Sequence, residues 1–390
     1  MTYGPDLQFT WRAPTRVVFG RGHLDRLGRE ARTLGGTRAL VVTDPFLAGQ
    51  EAIVGRAVAS LRASGLEVEV FAGVESDPSI ETIDAGVVVA RRFQADLLVG
   101  IGGGSSMDAA KAIAMLMVTG DGVLDHLGAN TVSVELPPII AVPTTAGTGS
   151  ETSFAAVISD HARRVKIPLA ENAFLPRVAI LDPEVTVGLP ARLTAATGMD
   201  AYAHALDVLH STRRQPFNDA LAHHVLRTVT RRLRQAVAAP DDIVARGQML
   251  AAATSMGFAL STTPYGIIHA LGHPVGAHFG VHHGVTVALL APHGLRWNIA
   301  TAAPVYAEAA RAAGLATDAD SDARAAAALV AATEQLLADL DLPTRLRDVG
   351  VTEDAVEAMA ADAVVDIGAN FNLRRPVDAG ELAAVYRAAH

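Results

Sequence analysis

The sequence predicts an N-terminal α/β domain with an open, mainly parallel sheet, followed by an all-helical domain. Three observations carry this. From residue 15 to about 185, short β-branched runs alternate with helix-length stretches. From Leu189 onward strand signals almost vanish, and Ala-, Leu- and Arg-rich helical stretches take over. With 390 residues the chain is also too long for one ordinary core. The alternation stops at Gly188-Leu189-Pro190, so the domains are placed at 1–188 and 189–390.

The expected strands are Arg16–Phe19, Ala39–Thr43, Glu67–Phe71, Asp96–Ile101, Ile139–Val142 and Val178–Leu181. Runs such as Leu97–Ile101 are apolar throughout, which suits strands buried on both faces. Ala52–Ser64 and Ile80–Phe93 have helical periodicity and supply covering helices. In the second domain the helices are expected at Ala191–His210, Pro216–Ala238, Asp241–Leu260, Ser321–Leu340 and Glu353–Val365, with Asp241 and Thr352 as caps.

Composition removes whole classes of function. There is no cysteine, which excludes disulfides, thiolate metal sites and cysteine nucleophiles and agrees with a reducing cytoplasm. A net charge of −9 without a basic stripe argues against a nucleic-acid partner. Apolar runs such as Val285–Ala291 are far shorter than the ~20 residues of a membrane span. The N-terminus has no apolar core of a signal peptide, so a cytoplasmic protein is expected.

Two loops carry the first chemistry. Gly102-Gly103-Gly104-Ser105 follows an apolar strand and opens a helix, so the backbone can approach an anion at a helix N-terminus. The spacing is not that of the Rossmann glycine fingerprint. Pro143-Thr144-Thr145-Ala146-Gly147-Thr148-Gly149-Ser150-Glu151 follows the next strand and offers many small donors. Two such loops after neighbouring strands point to a diphosphate. Asp44, at another strand end, suits a ribose 2′-hydroxyl and would repel a 2′-phosphate, although an Asp there is also an ordinary helix cap.

The second chemistry lies in histidines. Six of the 14 fall between His269 and His293, where uniform scatter would put about one. His269 and His273 are four residues apart and share a helix face. Asp200 and His204 repeat that spacing upstream. A carboxylate with imidazoles suits Fe²⁺, Zn²⁺ or Mn²⁺. His278, His282 and His293 have plain surface or packing alternatives, and His210, His223 and His224 read as ordinary helical residues.

Together these motifs resemble the iron-containing (group III) alcohol dehydrogenase family, its lactaldehyde-reductase-like members in particular, over essentially the whole chain. The matching segments are Gly102-Gly103-Gly104-Ser105-x-x-Asp108-x-x-Lys111, Pro143-Thr144-Thr145-x-Gly147-Thr148-x-Ser150-Glu151, Gly198-Met199-Asp200-x-x-x-His204, and His269-x-x-x-His273 running to His283-Gly284. The resemblance implies a dinucleotide-binding domain and a metal-binding domain, with metal and nicotinamide meeting in a cleft. It places the metal ligands on Asp200, His204, His269 and His283, and a histidine near the reacting carbon on His273. It places cofactor contacts on Asp44, Asp77, Gly102, Gly103, Gly104, Ser105, Thr144, Thr145, Thr148 and Lys166. The implied cofactors are NAD, ahead of NADP, and Fe²⁺, with Zn²⁺ suiting the same ligands. The implied reaction is reversible hydride transfer between a small alcohol and its aldehyde or ketone, in a homodimer or larger homo-oligomer.

Ala155-Ala156 departs from lactaldehyde-reductase-like members, which carry an Asn in that strand. The complete ligand set argues against the metal-independent maleylacetate reductases. Glycerol dehydrogenase-like, dehydroquinate synthase-like and hydroxyacid–oxoacid transhydrogenase enzymes are the alternatives within the architecture. A non-catalytic scaffold is the alternative outside it.

Overall fold

All six expected strands pair into one parallel sheet in the computed structural model, which describes residues 3, 7–163 and 165–390. They are β1 (Arg16–Phe19), β2 (Arg38–Val42), β3 (Glu67–Phe71), β4 (Leu97–Gly102), β6 (Ile139–Pro143) and β9 (Val178–Leu181), in the order β1-β9-β6-β4-β2-β3. Val99 of β4 lies between Val41 and Ile140, which sets the register at the centre of the sheet. Alternate residues feed two cores: Leu40, Val42 and Leu98 pack on one face with Ile83 and Ile113, while Ala39, Val41 and Val99 pack on the other with Leu27 and Leu61. Burial on both faces is why these strands read as continuous apolar runs.

The covering helices are α1 (Leu27–Thr33), α2 (Pro45–Ala48), α3 (Arg56–Ala63), α4 (Ile80–Phe93) and α5 (Gly104–Thr119). A single π-helical turn, Glu51–Gly55, runs into α3, so the helix expected from Ala52 begins irregularly. Ser79 caps α4 by accepting from the Thr82 amide. The sequence pattern did not indicate a second sheet, in which β7 (Ala155–Asp160) pairs antiparallel with β8 (Val165–Ala170) and short β5 (Gly128–Ala129) lies parallel to β8. Pro168 within β8 and the polar ends of both strands hide the period of two.

The helical unit contains α6 (Ala191–Leu209), α7 (Pro216–Ala238), α8 (Ile243–Leu260), α9 (Ile267–Phe279), α10 (His283–Ala313), α11 (Asp322–Asp339), α12 (Val356–Val365), α13 (Ile367–Phe371) and α14 (Ala379–Ala389). The cap of α8 is Asp242, one residue beyond the Asp241 expected, and it accepts from the Val244 and Ala245 amides. Thr352 precedes a 3-10 turn, Glu353–Ala355, and makes no side-chain cap bond. α10 escaped the sequence pattern because Pro292 and Pro304 lie inside it. Among the described residues α8 is the one helix long and apolar enough to cross a membrane, and most of it is buried in the unit.

The chain divides into two compact units, with the break at Leu189–Pro190. The described residues before Ala13 group with the helices, not with the α/β unit as expected. Aromatic contacts explain this: Phe9 and Trp11 pack on Phe217, and the Trp11 indole N–H donates to Asn218 at 2.9 Å.

Candidate functional site

In the α/β unit, three adjacent strands, β2, β4 and β6, lead at their carboxyl ends to Asp44, the Gly102–Gly104 turn and Thr144. Ligands of open parallel sheets bind at such ends. Gly102 has φ +150°, and a Cβ there would fall 2.4 Å from Ser106 Oγ. A Cβ on Gly104 would fall 2.8 Å from Thr148 Cγ2, and one on Gly103 3.5 Å from Thr145 Oγ1. The two loops expected to act together therefore face each other. The Thr144 amide donates to the Gly102 carbonyl at 2.9 Å.

Beneath them, the fully buried Lys111 donates from Nζ to the Ser150 carbonyl (2.8 Å), Ser150 Oγ (2.7 Å) and the Ala155 carbonyl (2.7 Å). Asp108 accepts from Ser150 Oγ at 2.5 Å and from the Val157 amide at 3.0 Å. These two residues of α5 thus fasten the threonine-rich loop and β7 to the glycine-rich helix start. Asp77 and Lys166 meet at 2.7 Å, and the Asp77 amide donates to Ser105 Oγ at 3.1 Å, so three expected cofactor positions form one cluster. Asp44 accepts the Leu47 amide through Oδ1 at 2.8 Å, which makes it the cap of α2.

In the helical unit, Asp200 Oδ1 is the point of convergence. His269 Nε2 lies 3.4 Å from it, His283 Nε2 3.5 Å and His204 Nδ1 3.7 Å. Asp200, His269 and His283 each present a ligand atom within 4.8 Å of the others, and His204 stands beside this group with its ring stacked on His269 at 4.2 Å. Three helices contribute: α6 gives Asp200 and His204, α9 gives His269, and α10 begins with His283.

Charge and burial suit a cation here. Burial works against an ionised Asp200, but His204, His283 and His269 outweigh it and hold its carboxyl well below the usual range. Burial, with neighbouring His269 and His283, lowers His204 to about 3, although Asp200 opposes this. His204 Nδ1 is buried with no hydrogen-bond partner. An orphaned imidazole nitrogen beside a carboxylate is costly without a ligand to receive it. The donor set, one carboxylate and three imidazoles with no thiolate, fits a divalent transition metal.

His273, one turn beyond His269, is not part of that group. Its ring stacks on His283 at 5.5 Å, and its Nδ1 lies 2.8 Å from Asp366 Oδ2. Burial opposes the Asp366 charge, but His273, the Gly368 amide, which donates to its other oxygen at 2.7 Å, and His269 together outweigh it and lower its carboxyl. Tyr265 lies edge-on to His273 at 5.2 Å. The remaining clustered histidines go elsewhere: His278 pairs with Asp362, His282 caps α10 by accepting the Gly284 amide, and His293 is mostly buried farther along α10.

Sequence reasoning missed Asp366 and Asp207. Asp207 follows Asp200 and His204 at i+7 and i+3, on the same helix face, which is a signal that could have found it. Asp366 had none, because it sits between α12 and α13, remote in sequence from His273.

Comparison with known proteins agrees with this layout. The family described as iron-containing alcohol dehydrogenase matches residues 14–183, and its C-terminal counterpart matches residues 194–390. The chain is 37% identical to 1,3-propanediol dehydrogenase of Klebsiella pneumoniae over 98% of each chain. It is 36% identical to NAD-dependent methanol dehydrogenase of Bacillus methanolicus, over 93% of this chain and 94% of that one. A crystal structure of 1,3-propanediol oxidoreductase superposes with a TM-score of 0.95 at 36% identity, covering 98% of this chain and all of that one.

Proposed function

The chain belongs to the iron-containing alcohol dehydrogenase family, and from that premise we propose reversible hydride transfer between NAD(H) and a small alcohol or its carbonyl partner. The observation that carries the reading is the convergence of one carboxylate and three imidazoles around Asp200 Oδ1. Asp200, His204, His269 and His283 would hold the metal, with Fe²⁺ as the family's ion and Zn²⁺ compatible with the same donors. A metal held there supplies Lewis acidity for the substrate oxygen. The nicotinamide supplies the hydride acceptor or donor.

The chain's own residues do the rest. Residues 13–189 are proposed to carry the dinucleotide, with Gly102–Ser105, Thr144, Thr145 and Thr148 meeting the diphosphate and Asp44, Asp77 and Lys166 bordering it. Residues 190–390 hold the metal and His273. With Nδ1 turned to Asp366, His273 keeps Nε2 for the substrate hydroxyl, taking its proton in oxidation and returning it in reduction. Relatives named for 1,3-propanediol and methanol favour short primary alcohols and diols as substrates. Lactaldehyde is the narrower candidate that the motifs suggest.

The test is an anaerobic panel of short aldehydes and ketones, lactaldehyde and 3-hydroxypropanal included, with NADH and Fe²⁺-loaded protein. NADH oxidation matched by alcohol formation is expected. Metal-loaded protein with no turnover of any member would overturn the proposal in favour of a non-catalytic scaffold.

A further inference from the structure

Asp207 is fully buried on α6, yet no step proposed above uses it. Its carboxylate accepts four hydrogen bonds. Oδ2 takes the His269 amide at 3.1 Å and His269 Nδ1 at 2.7 Å, while Oδ1 takes the Ile268 amide at 3.1 Å and His210 Nε2 at 2.6 Å. The two amides belong to the first turn of α9, whose N-cap, Gly266, has no side chain to accept them. Asp207 therefore caps one helix from another.

His210 is also fully buried and bonded through both nitrogens, its Nδ1 lying 2.8 Å from Tyr306 Oη. An ionised carboxylate only accepts, so His210 Nε2 and His269 Nδ1 both carry protons toward Asp207. His210 Nδ1 then accepts from the Tyr306 hydroxyl, and His269 Nε2 is left to face Asp200. Space for this arrangement is made at Gly266. A Cβ there would fall 2.7 Å from His210 Nε2 and 3.0 Å from Asp207 Oδ1. Tyr306 lies on α10, the helix that His283 begins. The chain of bonds thus joins the three helices that bear the candidate ligands.

We infer that Asp207, His210 and Tyr306 are positioning residues for the metal, a buried brace that fixes the tautomer of His269 and the spacing of α6, α9 and α10. The inference rests on the metal reading above. Outer-shell carboxylates on ligating histidines raise ligand basicity and set ring orientation, and their loss costs about 10- to 100-fold in metal affinity. The effect should weaken with distance from His269. Asp207→Asn leaves one carbonyl oxygen where two imidazole N–H groups need acceptors, and should show that full loss. His210→Gln should show less, and Tyr306→Phe, which removes only the hydroxyl that His210 accepts from, the least.

The experiment measures Zn²⁺ and Co²⁺ dissociation constants of the full chain by competition with a chromophoric chelator, and the visible absorption spectrum of the Co²⁺ form. Circular dichroism reports folding. Graded weakening in that order, with altered Co²⁺ bands in variants that remain folded, supports the brace. Wild-type affinity and spectrum in folded Asp207→Asn and Tyr306→Phe would overturn it. Should Asp207→Asn fail to fold, Tyr306→Phe and His210→Gln decide between the same two results. Wild-type protein that binds neither metal would overturn the metal reading itself, and the brace with it.

Discussion

The two units build their candidate sites from different material. In the α/β unit the working groups are backbone amides and small hydroxyls at strand ends, held by a buried Lys111–Asp108 clasp beneath them. In the helical unit they are large side chains from three helices. Asp207 and Asp366 hold His269 and His273 by one ring nitrogen each. A site made of backbone depends on the path of the chain and tolerates exchange of single side chains. A site made of side chains loses its function with one of them. Substitutions in the two units should therefore differ in size, and the following ones can break that contrast.

The largest effect is expected at Asp200. Asp200→Ala removes the atom on which all three histidines converge and leaves their nitrogens facing one another in a buried space. Metal content should fall close to zero and turnover by at least ~10³-fold, since Lewis-acid assistance is worth several kcal/mol. Metal analysis alongside an NADH-linked assay checks this. Stoichiometric metal in the variant would move the site elsewhere.

Next comes His273→Ala, which separates holding a metal from moving a proton. Metal content should stay at the wild-type level while turnover falls on the order of 10²-fold. Loss of metal would make His273 a ligand. Unchanged turnover would leave the Asp366–His273 pair a packing feature.

A smaller effect is expected in the α/β unit. Asp44 caps α2, and in the proposed reading a 2′-phosphate beside it would meet a like charge. Asp44→Asn preserves the cap, because Asn serves that position about as well as Asp, and removes only the charge. The ratio of kcat/KM for NADPH to that for NADH should rise about tenfold, roughly 1.4 kcal/mol, with little change in Tm. An unchanged ratio would mean that Asp44 acts only as a cap.

How much of this was legible in the sequence follows from the same contrast. The parallel sheet was visible because both faces of its strands are apolar, and the glycine and threonine loops were visible because backbone sites demand small residues at fixed places. The candidate metal site was marked by the four-residue spacing of Asp200 with His204 and the density of histidines after His269, and the family resemblance singled out His269 and His283 among them. The supporting carboxylates were not. Asp366 reaches His273 from a short segment between helices, which no periodicity marks. His210 read as an ordinary polar helical residue, whereas folding buries it completely between Asp207 and Tyr306. The antiparallel β7–β8 pair was hidden by Pro168 and its mixed polarity.

The smallest effect concerns His293, which shares the histidine-rich segment and no part of the site. Burial, followed by the nearby Arg296 charge, lowers its pKa to about 4 from an ordinary 6.5, and Glu334 only partly opposes this. The unfolded chain, with His293 in water, takes up a proton as pH falls through about 6.5. The native chain does so only near 4. Between these values the unfolded state binds more protons, so this residue's contribution is complete above about 6.5 and is lost progressively toward 4. His293→Gln keeps a polar side chain of similar reach and cannot titrate. Urea unfolding at pH 7 and pH 5 should show the variant losing less stability than the wild type, by roughly 1 kcal/mol with allowance for partial exposure. The other histidines are common to both proteins and cancel in that difference. Equal losses would mean that His293 is protonated in the native state at pH 5, and that a counter-charge such as Glu334 holds it more closely than its burial implies.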